Sequence, residues 1–139
     1  MVGLPGSGKS TWLEKLGATA ISSDHVRLLL SDDAENQSIH AQVFATMRYL
    51  LRRRLALGRP VSYVDATHLT PAERAPYLKM AQAFGCDLEA VFFDVPLDVC
   101  RKRNRMRQRV VPEAVLEAMQ ARLIPPSIEE GFARITRLL

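Results

Sequence analysis

The sequence predicts a three-layer α/β fold, in which helices cover both faces of a parallel sheet of about five strands. Three observations lead to this prediction. Short apolar runs alternate with helical patterns along the chain, which is typical of βαβ units. A glycine-rich loop near the N-terminus opens directly into a helical pattern. The run from Leu88 to Val95 is almost entirely apolar, as expected for a central strand of a parallel sheet.

The size and composition of the chain indicate one folded domain. Its 139 residues are 47% hydrophobic and 24% charged, so a single domain over residues 1–139 is expected. No apolar run approaches the ~20 residues that cross a bilayer, and no secretory signal pattern is present, so no membrane partner is expected. The cysteines, Cys86 and Cys100, form no metal-binding pattern and are expected to be reduced thiols in a cytoplasmic protein.

The first part of the chain predicts two short helices around a strand. Only two residues precede the glycine-rich loop, so the first strand is expected to be vestigial or to begin upstream of the first methionine. A helix is predicted over 9–16, where Gly17 stops it, and a strand over 18–22. The polar segment 22–24 can cap a helix that begins near His25.

The middle of the chain predicts a long helix, a buried strand and a second helix. The apolar run 61–64 predicts a strand whose C-terminal end delivers Asp65. Residues 70–73 have the pattern of a capping box with proline at the first helical position, which predicts a helix up to Phe84. The long helix before the strand ends at Gly58 and is marked by apolar residues at helical spacing: Ile39, Val43, Met47, Leu50, Leu51 and Leu55.

The last part of the chain predicts two helices and a strand. Pro96 opens a helix that runs into a basic segment. Apolar residues between Val115 and Leu123 mark a further helix, which prolines 125 and 126 end. Residues 135–139 form a candidate last strand.

The glycine-rich loop, Gly3-Leu4-Pro5-Gly6-Ser7-Gly8-Lys9-Ser10, has the pattern of a P-loop, which wraps the phosphates of a nucleoside triphosphate. The amides near Gly6, Gly8 and Lys9 are expected to point toward the phosphates, and the dipole of the following helix adds to the attraction. Lys9 is expected to reach the β and γ phosphates of ATP, and the hydroxyl of Ser10 to ligate Mg²⁺.

Further features favour a kinase over other P-loop proteins. The chain is too small for a motor ATPase, and it has no Asn-Lys-x-Asp guanine signature. Asp24 follows the second strand, where a doubly wound sheet opens its ligand cleft, and a cluster of arginines follows the fourth strand. Such a cluster suits a mobile lid that closes on the triphosphate.

Asp24 is a candidate general base, because phosphoryl transfer needs a carboxylate to orient and deprotonate the attacking hydroxyl. Its structural alternative is to cap the next helix. Arg27 lies one helical turn further along the same face, so it either binds an acceptor phosphate or pairs with Asp24.

Two other carboxylates follow predicted strands. Asp65 resembles the Mg²⁺-associated aspartate of P-loop enzymes, and its alternative is to cap the turn that follows. Asp94 ends the next strand in the same manner, where the neighbouring Pro96 favours capping.

Six basic residues lie between Arg101 and Arg109, with no aromatic residue among them. The segment is therefore a poor platform for base stacking and a good clamp for a triphosphate. On a continuous helix Arg103 and Arg107 share one face. For Arg101 and Lys102 a solvated basic face is the alternative, and it is the preferred interpretation for the arginines at 52–54.

Four motifs, in this order and spacing, resemble the polynucleotide 5′-kinase family and its bacterial relatives that are described only as P-loop ATP-binding proteins. The segment 126–132 and the pair Val111-Pro112 followed by Met119 are similar to that family too, so the resemblance covers nearly the whole chain. The four motifs are Gly-Leu-Pro-Gly-Ser-Gly-Lys-Ser-Thr at 3–11, Ser-Ser-Asp-His-Val-Arg at 22–27, Val-Asp-Ala-Thr-His-Leu-Thr at 64–70 and Cys-Arg-Lys-Arg-Asn-Arg-Met-Arg at 100–107.

The resemblance implies an adenylate-kinase-like fold and ATP-dependent phosphorylation of the 5′-hydroxyl of a DNA or RNA strand. It implies that Asp24 is the general base and that Arg27 holds the acceptor strand. Asp65 would steady Arg27, and Thr67 would join them at the acceptor. These roles require ATP and Mg²⁺ as partners of the chain.

The resemblance also implies how ATP is held. Arg103 and Arg107 would be the arginines of a helical lid over residues 101–112, with Arg107 beside the charge of the transition state and Lys9 acting with it in catalysis. The hydroxyl of Ser10 would hold Mg²⁺ together with water. The full set of residues implied for ATP is Gly6, Ser7, Gly8, Lys9, Ser10, Thr11, Arg103 and Arg107.

Departures from the family leave other acceptors open. His68 stands where relatives often carry asparagine, and the chain has no DxDxT phosphatase motif. A small hydroxyl compound, such as a sugar, an antibiotic or a metabolite, is therefore an alternative acceptor. A non-catalytic nucleotide-binding module is a third hypothesis. Nucleic-acid binding predicts a steep dependence of affinity on salt, whereas a neutral acceptor predicts little.

Overall fold

The computed structural model describes all 139 residues, and its elements follow the order expected from the sequence. The six α-helices are α1 (Lys9–Leu16), α2 (Ser23–Ser31), α3 (His40–Ala56), α4 (Pro71–Phe84), α5 (Leu97–Arg105) and α6 (Glu113–Arg122). The four strands are β1 (Ala20–Ser22), β2 (Tyr63–Asp65), β3 (Glu89–Phe93) and β4 (Arg134–Leu138). All strand pairs are parallel, so the α/β class is confirmed.

The chain forms two compact units, one of residues 1–12 and 67–139 and the other of residues 13–66. In the first unit β3 pairs with β4, from Glu89 opposite Arg134 to Phe93 opposite Leu138. On the other edge of β3, Val2 forms a single parallel bridge with Phe92. Val2 thus lies where the first strand is expected, and β3 has a partner on both sides, as its apolar sequence predicted.

The core of the first unit joins the start of the P-loop to the C-terminal helices. Leu4, Leu69, Cys100 and Leu116 pack together, and none is more than 2% exposed. Burial raises the pKa of the Cys100 thiol, so this cysteine stays protonated at neutral pH. Leu4 therefore anchors the glycine-rich loop in the core that α5 and α6 share.

A buried ion pair fixes the segment that precedes β4. Arg74 in α4 donates from Nε and Nη2 to the two carboxylate oxygens of Glu130, at 2.8 and 3.0 Å, and from Nη1 to the carbonyl of His68 at 2.8 Å. Burial alone would raise the pKa of Glu130, but the hydrogen bonds from Arg74 and the Ser127 amide lower it overall. The bidentate geometry is the strong form of this interaction.

The second unit consists of β1 and β2 with α2 and α3. The strands pair with Ser22 directly opposite Asp65 at their C-terminal ends. Val26 from α2 packs on Val43 and Met47 of α3, and Ala66 completes this cluster. The positions 43, 47 and 51 predicted for the buried face of the long helix are buried, whereas Leu50 is 39% exposed.

The structure differs from the expected sheet and lid. The hydrogen bonds define two two-stranded parallel sheets and one bridge rather than a sheet of about five strands. The strand predicted over 61–64 is β2, which begins at Tyr63 instead of Val61; Val61 is 56% exposed. The prediction of a helical lid over 101–112 is wrong beyond Arg105, where α5 ends. Arg103 and Arg107 therefore do not share a helical face.

Two helix starts differ in detail. Thr70 caps α4 by accepting from the Glu73 amide, but the Glu73 carboxylate accepts from the Leu69 amide at 2.8 Å instead of closing a capping box on Thr70. Asp94 does not cap α5: it accepts from Arg137 Nε at 2.6 Å. None of the helices combines the length and the apolar character needed to span a lipid bilayer.

Candidate functional site

The P-loop forms a tight turn that leads into α1 at Lys9. Gly6 and Gly8 have φ angles of 79° and 101°, a region that glycine adopts without strain. A Cβ on Gly6 would lie 2.7 Å from the carbonyl oxygen of Cys100 in α5. Glycine is therefore required at position 6 both by its backbone angle and by the close approach of α5.

Lys9 folds back over the loop. Its Nζ donates to the carbonyl oxygens of Gly3 at 2.9 Å and Leu4 at 2.8 Å. The amide of Gly3 in turn donates to the carbonyl of Thr67 at 3.1 Å, so the chain after β2 supports the start of the loop. These bonds hold the Lys9 ammonium against the P-loop, where the bound phosphates are expected.

The residues of this loop fit a triphosphate with Mg²⁺. Ser10 and Thr11 are exposed on the first turn of α1, where backbone amides lack helical partners. The hydroxyl of Ser7 is buried and has no hydrogen-bond partner. Small residues, free amides and a hydroxyl at a helix start are the groups that bind phosphate and its metal ion.

Arg103 lies beside the loop. Its Nη1 donates to the carbonyl of Ser7 at 3.4 Å and lies 3.6 Å from the position that a Cβ on Gly8 would take. The side chain is exposed, and it projects from the last turn of α5. The structure thus brings one of the two arginines expected at the triphosphate next to the P-loop.

Arg107 follows α5 in the loop that leads to α6. Its amide donates to the Asn104 carbonyl at 3.2 Å, so the chain turns directly after the helix. Its Nη1 is buried and has no hydrogen-bond partner. A buried guanidinium nitrogen without an acceptor is costly, and an anionic ligand is one group that satisfies it.

Sequence reasoning did not single out Asn104, which holds the arginine-bearing loop in place. The side chain is 1% exposed; its Nδ2 donates to the carbonyl of Val111 at 2.8 Å and its Oδ1 accepts from the Val111 amide at 3.0 Å. These two bonds close the loop of residues 105–110. Asn104 is an uncharged residue within an arginine-rich segment, so neither periodicity nor charge pointed to this role.

Arg101 has a structural role. Its guanidinium contacts Asp98 at 3.1 Å, and Glu113 and Glu117 of α6 at 2.6 Å each. The hydrogen bond to Glu117 is the main reason that the pKa of Arg101 is raised above its ordinary value. Arg101 therefore links α5 to α6 through ion pairs. The alternative for this residue, a place on a solvated basic face, does not describe these contacts.

His68 is buried against α4. Its Nδ1 lies 2.7 Å from the carbonyl oxygen of Met1, and its ring meets that of Tyr77 edge to face, with centroids 5.0 Å apart. Burial, with neighbouring positive charges, lowers the pKa of His68 to about 3, so the ring is neutral and Nδ1 donates to Met1. The φ angle of 46° is a conformation that asparagine also tolerates.

The candidate base Asp24 and the candidate acceptor residues Arg27 and Asp65 belong to the second unit. Ser22 is the N-cap of α2 and accepts from the His25 amide, so Asp24 lies within the first helical turn and is not the cap. Its side chain is 51% exposed and contacts Arg27 Nη1 at 3.5 Å, whereas the Arg27 side chain is 5% exposed. Asp65 ends β2 directly opposite Ser22.

This arrangement bears on the alternative roles that the sequence left open for Asp24 and Arg27. Ser22 is the N-cap of α2, so Asp24 does not cap this helix. Arg27 does pair with Asp24, and this contact leaves its candidate role at the acceptor as a prediction. The backbone carbonyl of Thr67 accepts a hydrogen bond from the Gly3 amide.

Residues 1–126 match the family model AAA_33, described as an AAA domain. The match includes the P-loop, Asp24, Asp65 and the arginine segment. This family consists of P-loop NTPases and includes polynucleotide kinase-like and other small kinases. A P-loop domain of this kind implies nucleotide binding, typically with Mg²⁺. The chain therefore belongs to the AAA_33 family of P-loop NTPase domains.

Proposed function

We propose that this chain is an ATP-dependent kinase that transfers the γ-phosphoryl group to a hydroxyl, namely the 5′-hydroxyl of a DNA or RNA strand. The observation that carries the proposal is the environment of Asp24. This carboxylate stands exposed in the first turn of α2, in contact with the buried Arg27, while Ser22 caps the helix. An exposed carboxylate that is oriented by an arginine suits the capture of a hydroxyl proton.

In this proposal one set of residues binds the triphosphate, and a different set binds and deprotonates the acceptor hydroxyl. Lys9, the P-loop amides and Arg103 bind the β and γ phosphates, and Arg107 supplies positive charge to the transferring group. The hydroxyl of Ser10 would hold Mg²⁺, and the bound ion would supply positive charge to the phosphates. Asp24 takes the proton of the attacking hydroxyl, and Arg27, Asp65 and Thr67 position the acceptor.

The geometry of the P-loop supports the triphosphate half of this proposal. Arg103 donates to the Ser7 carbonyl, and Asn104 fixes the loop that carries Arg107. One arginine that stabilises the charge of a phosphoryl transition state is worth orders of magnitude in rate. We also propose that residues 1–139 act as one kinase domain of the adenylate-kinase-like, three-layer type, with residues 101–112 as its lid.

A small-molecule acceptor is the second candidate, and one observation favours it. Leu28, Leu29 and Leu30 on α2 are 45%, 67% and 49% exposed, so the helix of Asp24 presents apolar surface beside Arg27. An acceptor with an apolar body would use such a surface. A neutral compound of this kind would bind with little dependence on salt.

A labelling experiment tests the proposal. The protein is incubated with γ-labelled ATP, Mg²⁺, a 5′-hydroxyl oligonucleotide and, in parallel, a panel of small alcohols. Label on the oligonucleotide that disappears in Lys9→Ala and in a 5′-phosphorylated substrate supports the proposal. Label on a small alcohol alone supports the second candidate, and ATP binding without label on any acceptor overturns both.

A further inference from the structure

The positive charge of the chain is concentrated in one segment. Residues 36–64 contain five arginines and no aspartate or glutamate, whereas the rest of the chain has 14 basic and 15 acidic residues. The net charge of +4 therefore comes from this segment. Most of it is α3 and the loop that follows. Charge clustered on one element acts on partners far more than the same charge dispersed.

The side chains of four of these arginines have no hydrogen-bond or ion-pair partner within the protein. Arg48, Arg52, Arg53 and Arg59 form no ion pair, in contrast to Arg101, Arg122, Arg134 and Arg137, which all contact carboxylates. The fifth, Arg54, has a structural role, since it donates to Ser62 Oγ and to the Val61 carbonyl, both at 2.8 Å.

Arg52 and Arg53 lie away from the buried side of α3, and the half-buried Arg48 lies at its edge. Val43, Met47 and Leu51 bury one face of the helix. At 100° per residue, Arg52 and Tyr49 fall on the opposite side. Arg52 and Arg53 are exposed, and Tyr49 is 57% exposed. Together, Arg48, Tyr49, Arg52 and Arg53 form the basic face of α3.

We propose that the basic face binds the phosphate backbone of the acceptor strand downstream of its 5′-hydroxyl. Guanidinium groups without internal partners match phosphate oxygens, and an exposed tyrosine offers a ring on which a base stacks. The inference rests on the proposed function, since it assigns the acceptor to single-stranded nucleic acid. It explains why an unpaired basic cluster is part of the unit that holds Asp24.

A membrane surface is a poorer match for this face. A helix that lies in a bilayer interface inserts its apolar side, but the apolar side of α3 is already buried against Val26 and Ala66. A small neutral acceptor is also a poor match, because it offers nothing to several arginines. A nucleic-acid strand carries a charge at every nucleotide and so engages the whole face.

α2 connects the basic face to the candidate base. Val26 of α2 packs on Val43 and Met47 of α3, so the helix that carries Asp24 rests on the helix that carries the arginines. A strand whose 5′ end is held at α2 therefore has its following phosphates available to α3. A short acceptor reaches only the first of these helices.

The test measures binding of 5′-hydroxyl oligonucleotides of about 4 and about 16 nucleotides by fluorescence anisotropy over a range of salt. In the Arg52→Gln/Arg53→Gln variant, the slope of log affinity against log salt for the long strand should fall by about 1.4. Tyr49→Ala should weaken binding of the long strand by about 5- to 150-fold, and Tyr49→Phe should restore it. Lys79→Gln, an exposed lysine of α4, is the matched control and should leave the slope unchanged.

Phosphoryl transfer and ATP affinity, measured on the same variants, separate this inference from the proposed function. We expect the KM of the long acceptor to rise while kcat and ATP affinity stay constant. A salt slope that is the same in the double variant as in the control overturns the inference, as does arginine-dependent binding to phosphatidylserine vesicles without binding to oligonucleotides. Arginine-dependent strand binding without any transfer of label overturns the proposed function and leaves the binding face in place.

Discussion

Asn104 and Val111 are joined by two reciprocal hydrogen bonds, in which the buried side-chain amide of Asn104 satisfies both backbone groups of Val111. The pair closes the loop that carries Arg107. Because Oδ1 faces an N–H and Nδ2 faces a carbonyl, the orientation of the amide is fixed by its partners. Asn104 also lies next to the P-loop, since its backbone nitrogen is 3.3 Å from the position of a Cβ on Gly6.

Replacing Asn104 by alanine should lower the free energy of unfolding by about 1–3 kcal/mol, because two buried backbone groups lose their partners. Hydrogen exchange at the Val111 amide should become faster, and the rate of phosphoryl transfer should fall more than ATP affinity. Gln120→Ala on the exposed side of α6 is the control. Unchanged exchange at Val111 in the Asn104 variant would contradict this account of the loop.

Gly6→Ala should abolish tight ATP binding. The added Cβ would lie 2.7 Å from the Cys100 carbonyl and would force the P-loop away from α5. Gly17→Ala is a matched control: Gly17 has a φ of 63°, but no atom lies within 4 Å of its added Cβ. It should cost about 1–2 kcal/mol of stability through backbone strain and leave ATP affinity unchanged. Fluorescence of Trp12, the single tryptophan, offers a binding signal. Equal loss of affinity in both variants would show that the contact with α5 is not the cause.

Stability should depend on pH through His68. Its pKa is about 3 in the folded chain, against an ordinary value of 6.5. As the pH falls through this window the unfolded chain takes up a proton that the folded chain does not, so the free energy of unfolding falls. The slope approaches about 1.4 kcal/mol per pH unit.

Urea denaturation at a series of pH values checks this dependence. His68→Asn removes the titrating ring and suits the φ angle of 46°, so its slope between about pH 6.5 and pH 3 should be smaller than that of the wild type. Identical slopes in the two proteins would mean that the ring is not buried in its neutral form.

Arg74→Ala should destabilise the fold by about 3 kcal/mol. The partly buried Glu130 carboxylate would lose its guanidinium partner, and the carbonyl of His68 would lose a hydrogen bond. Arg122, whose side chain is 58% exposed and pairs with Glu73, provides the comparison: Arg122→Ala should cost less than about 1 kcal/mol. Thermal unfolding of the two variants measures the difference, and similar losses in both would contradict the special role of Arg74.

Local signals explain which parts of the fold the sequence predicted. The ends of α1 and α4 follow from Gly17 and Gly85, which adopt left-handed angles at the helix ends. The start of α4 follows from Thr70 and Pro71. Each of these depends on a few neighbouring residues, so composition and spacing were sufficient.

Long-range contacts explain the rest. The end of α5 at Arg105 accompanies the contact of Asn104 with Val111, seven residues away, so a helical pattern alone overestimated the lid. The link between Arg74 and Glu130 spans 56 positions and left no periodic signal. At the candidate site, the P-loop was evident from its motif, whereas the position of Arg103 beside Ser7 required the fold.

The most direct test of the central claim compares Asp24→Asn with Asp87→Asn, an exposed aspartate in the loop before β3. Each protein is given γ-labelled ATP and a 5′-hydroxyl oligonucleotide, and ATP affinity is measured in parallel. Asp24→Asn should bind ATP as the wild type does and transfer label about 10²- to 10⁴-fold more slowly, since the amide cannot accept the proton. Asp87→Asn should match the wild type. Transfer at the wild-type rate by Asp24→Asn would contradict the assignment of this residue as the general base.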